Sequence, residues 1–114
     1  MTESEFLALA EQAFSSIENS LEIAAETTDL DIECSRSGNV LEIECIHGGS
    51  SSKIIVNTQA SMQEIWVAAK SGGFHYKYDG SIWRNTRDGA ELFATLSAAV
   101  GEQAGTTVII SSTL

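Results

Sequence analysis

Residues 3–23 carry apolar side chains at helical spacing: Phe6, Ala10, Ala13, Phe14, Ile17 and Leu21 fall on one face. Thr2 followed by Glu5 has the form of a capping box, which predicts the helix start. Glu11, Ser15, Glu18 and Glu22 fall on another face. From Leu30 the period becomes two. Leu30, Ile32 and Cys34 alternate with Asp31, Glu33 and Ser35; after a turn at Ser37-Gly38-Asn39, Leu41, Ile43 and Cys45 alternate with Glu42 and Glu44. This predicts a β-hairpin with one apolar and one acidic face. "HGGSSS", His47 to Ser52, reads as a flexible turn, and "KIIVN", Lys53 to Asn57, as a third strand. "EIWVAA", Glu64 to Ala69, reads as a fourth strand, Ser71-Gly72-Gly73 as a turn, "FHYKY" as a fifth strand, Asp79-Gly80 as a tight turn and "SIWRN" as a sixth strand.

Asp88, with Glu91 three residues on, is read as the cap of a second helix whose apolar face holds Leu92, Phe93, Leu96, Ala99 and Val100. The tail, residues 101–114, holds one apolar run, Val108 to Ile110. The order helix, five or six strands, helix predicts an α+β fold. The expected architecture is a two-layer α-β sandwich. Its twisted antiparallel sheet of five to six strands carries the N- and C-terminal helices on one face, as a single domain over residues 1–114.

Such a sheet leaves its other face to water, and alternation puts Trp66 there, out of phase with Ile65, Val67 and Ala69. A tight Gly72-Gly73 turn would set Trp66 opposite Lys77 and Ala68 opposite His75. Trp66 is then either a cation–π partner that dresses the sheet or an anchor for another protein.

Composition narrows the classes. Apolar residues make up 43% of 114 residues, which fits a folded core and argues against disorder. No apolar run approaches the ~20 residues of a membrane span, and the acidic N-terminus lacks the basic region of a secretory signal. Cytoplasmic location is the expectation. Cys34 and Cys45 form no CxxC motif and read as small buried apolar residues. Sixteen acids against six bases give a net charge of −10, which repels nucleic acid and anionic membranes and suits cations or a basic partner. Nine acids and no base precede Arg36, so a strongly negative lobe is expected beside a nearly neutral one.

Those acids are either a solvated face or a binding surface. Glu18 and Glu22, four apart near the predicted helix end, repel each other and oppose the helix dipole, a cost that a purely structural face would avoid. Oxygen-only donors suit hard cations such as Ca²⁺, Mg²⁺, Mn²⁺ and iron, and the lack of imidazole among them disfavours zinc. No nucleophile–base pair and no Gly-rich phosphate loop points to an enzyme, and His47 and His75 read as surface residues without partners.

The stretch from Lys53 to Leu96 closely resembles the bacterial frataxin family. The resemblance is carried by Asn57-x-Gln59, Ile65-Trp66-x-Ala68, Lys70-Ser71-Gly72-Gly73, and Trp83 followed by Arg87-x-Gly89 and a helix. "SEFLALAEQAF" and the Asp31-Ile32-Glu33 strand start extend it over nearly the whole chain. The resemblance implies a non-enzymatic iron-binding protein of iron–sulfur cluster assembly, an iron-responsive regulator of the cysteine desulfurase and scaffold complex or an iron donor. It implies iron (Fe²⁺ or Fe³⁺), weakly bound, with other divalent cations competing. By position it implies metal ligands at Glu11, Glu18, Glu22, Glu26, Asp29, Asp31, Glu33, Glu42 and Glu44, and partner contacts at Asn57, Gln59 and Trp66. The implied partners are the desulfurase and the scaffold protein, with a monomer expected and iron-dependent oligomers as the alternative. Iron storage with ferroxidase activity, or a docking module with no functional metal, are the rival readings. "HGGSSS" looks longer than the family's usual short hairpin, and no proline follows Gln59.

Overall fold

The computed structural model describes residues 1–112; the last two positions of the tail, Thr113 and Leu114, lie outside the described residues. The chain runs α1 (Glu3–Thr27), β1 (Asp31–Ser37), β2 (Val40–His47), β3 (Ser50–Gln59), β4 (Glu64–Ala69), β5 (Gly72–Tyr78), β6 (Trp83–Asn85) and α2 (Leu92–Ala104). The six strands form one antiparallel sheet in chain order, with the helices on one face, as the sequence predicts. No helix among the described residues is long and apolar enough to cross a membrane.

The core lies between the layers. Phe6, Phe14, Ile17 and Leu21 of α1 and Leu92, Leu96 and Val100 of α2 meet Leu41, Ile43, Ile54, Val56, Ile65, Val67 and Tyr76 of the sheet. Each side chain of this size gains ~1.5–3 kcal/mol on full burial, so this layer is the main source of stability. Phe6 and Tyr78 pack edge-on to Trp83, at ring separations of 5.8 and 5.3 Å. Buried Gln103 joins three elements: its Oε1 accepts from the Lys70 amide at 3.1 Å and its Nε2 donates to Ser52 Oγ at 2.9 Å. The tail is held by both helices. The Ile110 amide donates to Ser97 Oγ and the Ser111 amide to Ser20 Oγ, so Val108 and Ile110 are buried while Ile109 points outward.

The Thr2–Glu5 capping box forms as expected. β6 begins only at Trp83, two residues into "SIWRN", and β3 runs on to Gln59; four further boundaries differ from the sequence expectation, each for a local reason. Helix α1 continues to Thr27, because the Thr27 and Thr28 hydroxyls donate to the Ile23 and Ala24 carbonyls and satisfy its last turn. "HGGSSS" is not a long flexible turn: His47 pairs with Ser50 around Gly48 and Gly49, both at positive φ, and the three serines join β3. The β4–β5 turn is Lys70-Ser71, one residue earlier than read, so Gly72 already belongs to β5. The cap of α2 is Glu91, whose carboxylate accepts from the Phe93 and Ala94 amides. Asp88 instead accepts from the Ala90 amide inside the preceding loop.

Gly105 ends α2 in the left-handed region at φ 72°, and a Cβ there would collide with the His47 ring. Gly105→Ala is expected to destabilise the protein by ~1–2 kcal/mol, part from backbone strain and part from the collision. His47→Ala should relieve the second part only. Urea unfolding of the two single variants and the double variant checks this; additive losses would show that His47 does not meet the new methyl group.

Candidate functional site

The nine candidate carboxylates do not form one continuous unpaired ridge. Arg36 on β1 reaches back to α1 and pairs with two of them: its Nη1 donates to Glu11 Oε1 at 3.1 Å and to Glu18 Oε1 at 3.0 Å, and its Nη2 pairs with Glu11 Oε2. The guanidinium also lies 5.1 Å from the centre of the Phe14 ring. Hydrogen bonding to Glu11, then the charges of Glu11 and Glu18, push the Arg36 pKa further up. Glu42 pairs with Lys53 at 3.3 Å. Glu22, Glu26, Asp29, Asp31, Glu33 and Glu44 have no ion pair among the described residues.

Glu11, Glu18 and Glu42 are therefore ion-paired acids, distinct from the other six. With α1 ending at Thr27, Glu18 lies far from the last turn, and Glu26 occupies that turn instead.

Strand pairing sets the remaining acids on different surfaces. Glu33 stands directly opposite Glu44 across β1 and β2 on the open face, a like-charge pair that opposes folding. Asp29 and Asp31 line a cleft with His47 and Gly105, whereas Glu18 and Glu22 line another with Ile32 and Cys34. Among the described residues no three His, Cys, Asp or Glu side chains converge to hold a metal. The donor chemistry fits hard cations, but the geometry supplies one or two protein ligands at a time and leaves the rest of the shell to water.

Contrary to the sequence expectation Cys34 is exposed, while Cys45 is buried. β1 is the edge strand, so α1 covers Ile32, Cys34 and Arg36 only in part. Partial burial of the thiol, then the charge of Glu18, push the Cys34 pKa up to about 11. It is therefore a neutral thiol at pH 7, a poor nucleophile and a poor soft-metal ligand.

The three candidate partner residues do come together. Asn57 is paired with Trp66 and Gln59 with Glu64 across β3 and β4, all on the open face. The one-residue turn error shifts the β4–β5 register by two: Trp66 faces His75, not Lys77, and Ala68 faces Gly73. The expected Trp66–Lys77 contact is replaced by a parallel Trp66–His75 stack at 4.2 Å. His75 is thus not a surface residue without partners. Sequence reading also passed over Glu64, which is buried on the water-facing side, accepts from Trp66 Nε1 at 2.8 Å and lies 3.4 Å from Lys77 Nζ. The signal was available in the spacing: Glu64 and Trp66 are two apart in a strand and so share a face. The open face therefore runs from acids on β1 and β2, through the Trp66 patch, to Lys77 and Arg84, which are paired across β5 and β6.

Two outcomes follow from this geometry. Glu18→Gln should cost ~0.2–1 kcal/mol, because it removes a carboxylate from Arg36. Glu26→Lys should stabilise by ~0.3–1 kcal/mol through the helix dipole. Thermal unfolding by circular dichroism measures both, and the opposite signs would sink the pairing account. Cys34 should react slowly with iodoacetamide at pH 7–8, with a rate that climbs toward pH 11. Glu18→Gln removes a negative neighbour, lowers the thiol pKa and should speed alkylation at pH 8; an unchanged rate would show that Glu18 does not act on the thiol.

Known proteins are similar to this chain in sequence and in fold. The Frataxin-like domain family matches residues 1–106. The chain is 66% identical over 110 residues to the iron-sulfur cluster assembly protein CyaY of Janthinobacterium sp. (strain Marseille), a match that spans 96% of each chain. It is 62% identical over 110 residues to the protein of that name from Herminiimonas arsenicoxydans, again over 96% of each. The solved frataxin of Psychromonas ingrahamii superposes with a TM-score of 0.83 at 32% identity, over 98% of this chain and all of that one. Identity at this level over nearly the full length, on the same two-helix, six-strand architecture, places the chain in the frataxin-like (CyaY) family.

Proposed function

We propose that this chain is a non-enzymatic, iron-binding regulator of iron–sulfur cluster assembly that works in the cytoplasm as a monomer. The observation that carries the reading is the segregation of charge. Glu22, Glu26, Asp29, Asp31, Glu33 and Glu44 have no ion pair among the described residues, on a protein whose relatives are named for iron–sulfur cluster assembly. Like charges held together at a cost to folding are relieved by a cation or by a basic partner. Iron is cargo or signal here: one or two carboxylates and several waters would hold it weakly, and Mn²⁺ or Co²⁺ would compete. The acids of α1, β1 and β2 are the proposed contact for a basic surface of the cysteine desulfurase. Asn57, Gln59 and Trp66 are the proposed contact for the scaffold protein, since a half-buried Trp on the open face beside amide side chains suits a protein interface.

A second reading is favoured by one observation. No three metal-ligating side chains converge among the described residues, which also suits a docking module whose acids only steer association.

Amide spectra during Fe²⁺ titration separate the two. Broadening should concentrate at residues 22–33, and Glu22→Gln combined with Asp31→Asn and Glu33→Gln should abolish most of it with the fold intact. Unlocalised broadening would favour the docking module. Desulfurase affinity should fall on the order of tenfold between about 20 and 200 mM salt. Trp66→Ala should leave that step nearly unchanged and weaken the complex with the scaffold; loss of desulfurase binding alone would mean the two surfaces are reversed.

A further inference from the structure

We infer that Glu64 is a positioning residue, which fixes Trp66 in the orientation that the open face presents to its protein partner. Among the described residues it is the one buried carboxylate, 4% exposed, and it lies on the side of the sheet that faces water. A Glu at such a site normally extends into solvent. This one is turned along the surface and surrounded by donors. Its Oε1 accepts from Trp66 Nε1 at 2.8 Å and lies 3.5 Å from His75 Nδ1; its Oε2 lies 3.4 Å from Lys77 Nζ, which also donates to the Met62 carbonyl at 3.1 Å.

The indole is thereby held in two ways. Its N–H can only donate, and the carboxylate fixes that edge. The His75 ring lies parallel to it, at 4.2 Å and an interplanar angle of 4°, and covers one face. Both side-chain torsions of Trp66 are set before any partner arrives. A side chain already ordered loses no rotamer freedom on binding, which lowers the cost of association. Lys77 beside the carboxylate keeps the patch close to neutral, so the ring is offered with little net charge around it. The arrangement arises from sequence spacing and register together. Glu64 and Trp66 share a face by parity, and His75 and Lys77 stand opposite Trp66 and Glu64 in the β4–β5 pairing.

The inference rests on the reading of Trp66 as a contact for the scaffold protein, and its test separates the two. The indole N–H resonance of Trp66 in the free protein, with that of Trp83 as internal reference, reports the orientation without any partner. Titration with the bacterial iron–sulfur scaffold protein by calorimetry reports its consequence. Glu64→Ala should shift the Trp66 N–H signal, speed its exchange and remove the Trp66–His75 cross-peaks, leaving Trp83 unmoved. The same variant should bind the scaffold about three- to tenfold more weakly. Glu64→Gln keeps an acceptor oxygen and should restore both readouts to near wild type. If Glu64→Ala does not fold, Glu64→Met, of similar length and without an acceptor, takes its place. An unmoved indole signal in the variant that lacks an acceptor overturns the inference. So does a Glu64→Gln variant that loses as much as Glu64→Ala, because charge and not the hydrogen bond would then matter. If Trp66→Ala binds the scaffold like wild type, the contact reading fails and the inference falls with it, whatever the indole spectrum shows.

Discussion

Only one face of the six-stranded sheet is covered by helices, and most of the molecule follows from that constraint. Strand side chains alternate, so every second residue must be apolar to meet α1 and α2, and every other one faces water. Leu41, Ile43, Ile54, Val56, Ile65 and Val67 fill the first role. The second set is then free of the demands of packing. It can hold acids on β1 and β2, a tryptophan on β4 and cations on β5 and β6 without disturbing the core. The water-facing surface and the stabilising layer are opposite sides of the same strands.

The charge of the acidic lobe is partly managed. Arg36 answers Glu11 and Glu18 across the joint between β1 and α1, and its guanidinium lies over the Phe14 ring. Lys53 answers Glu42. Beyond these pairs the like charges stand unrelieved, most plainly where Glu33 meets Glu44. The pattern separates acids that hold α1 against the sheet edge from acids that only add negative potential. A cation or basic surface that binds the second group leaves the first, and the fold, intact.

The elements were legible because their periods are strong. An i, i+4, i+7 stripe on α1, alternation on β1 and β2 and a capping box at Thr2 each report a local preference. Boundaries were less legible where short-range hydrogen bonds decide them. Threonine hydroxyls carry α1 four residues past Ile23, and an Asn85–Ala90 loop closed on itself delays α2 until Leu92. In the candidate site, alternation put Trp66 on the open face and the family resemblance named Asn57 and Gln59, which the β3–β4 register sets beside it. The partner of Trp66 was misread because one residue of error in a turn moves the register by two while leaving every side chain on its correct face.

By itself the sequence determined the layer order, the face on which each strand residue lies, the net charge of −10 and its concentration before Arg36, and the resemblance to the frataxin family. All of these depend on composition or on neighbours a few positions apart. Tertiary structure alone decided which charges are paired. Arg36 is 25 residues from Glu11 and 18 from Glu18, and Glu64 reaches His75 and Lys77 only across a strand pair. Contacts of that kind depend on where distant backbones pass one another. Tertiary structure also decided that a glutamate on the water side is buried and a cysteine on the helix side is not, because burial depends on what the fold lays over a residue and not on the residue's own polarity.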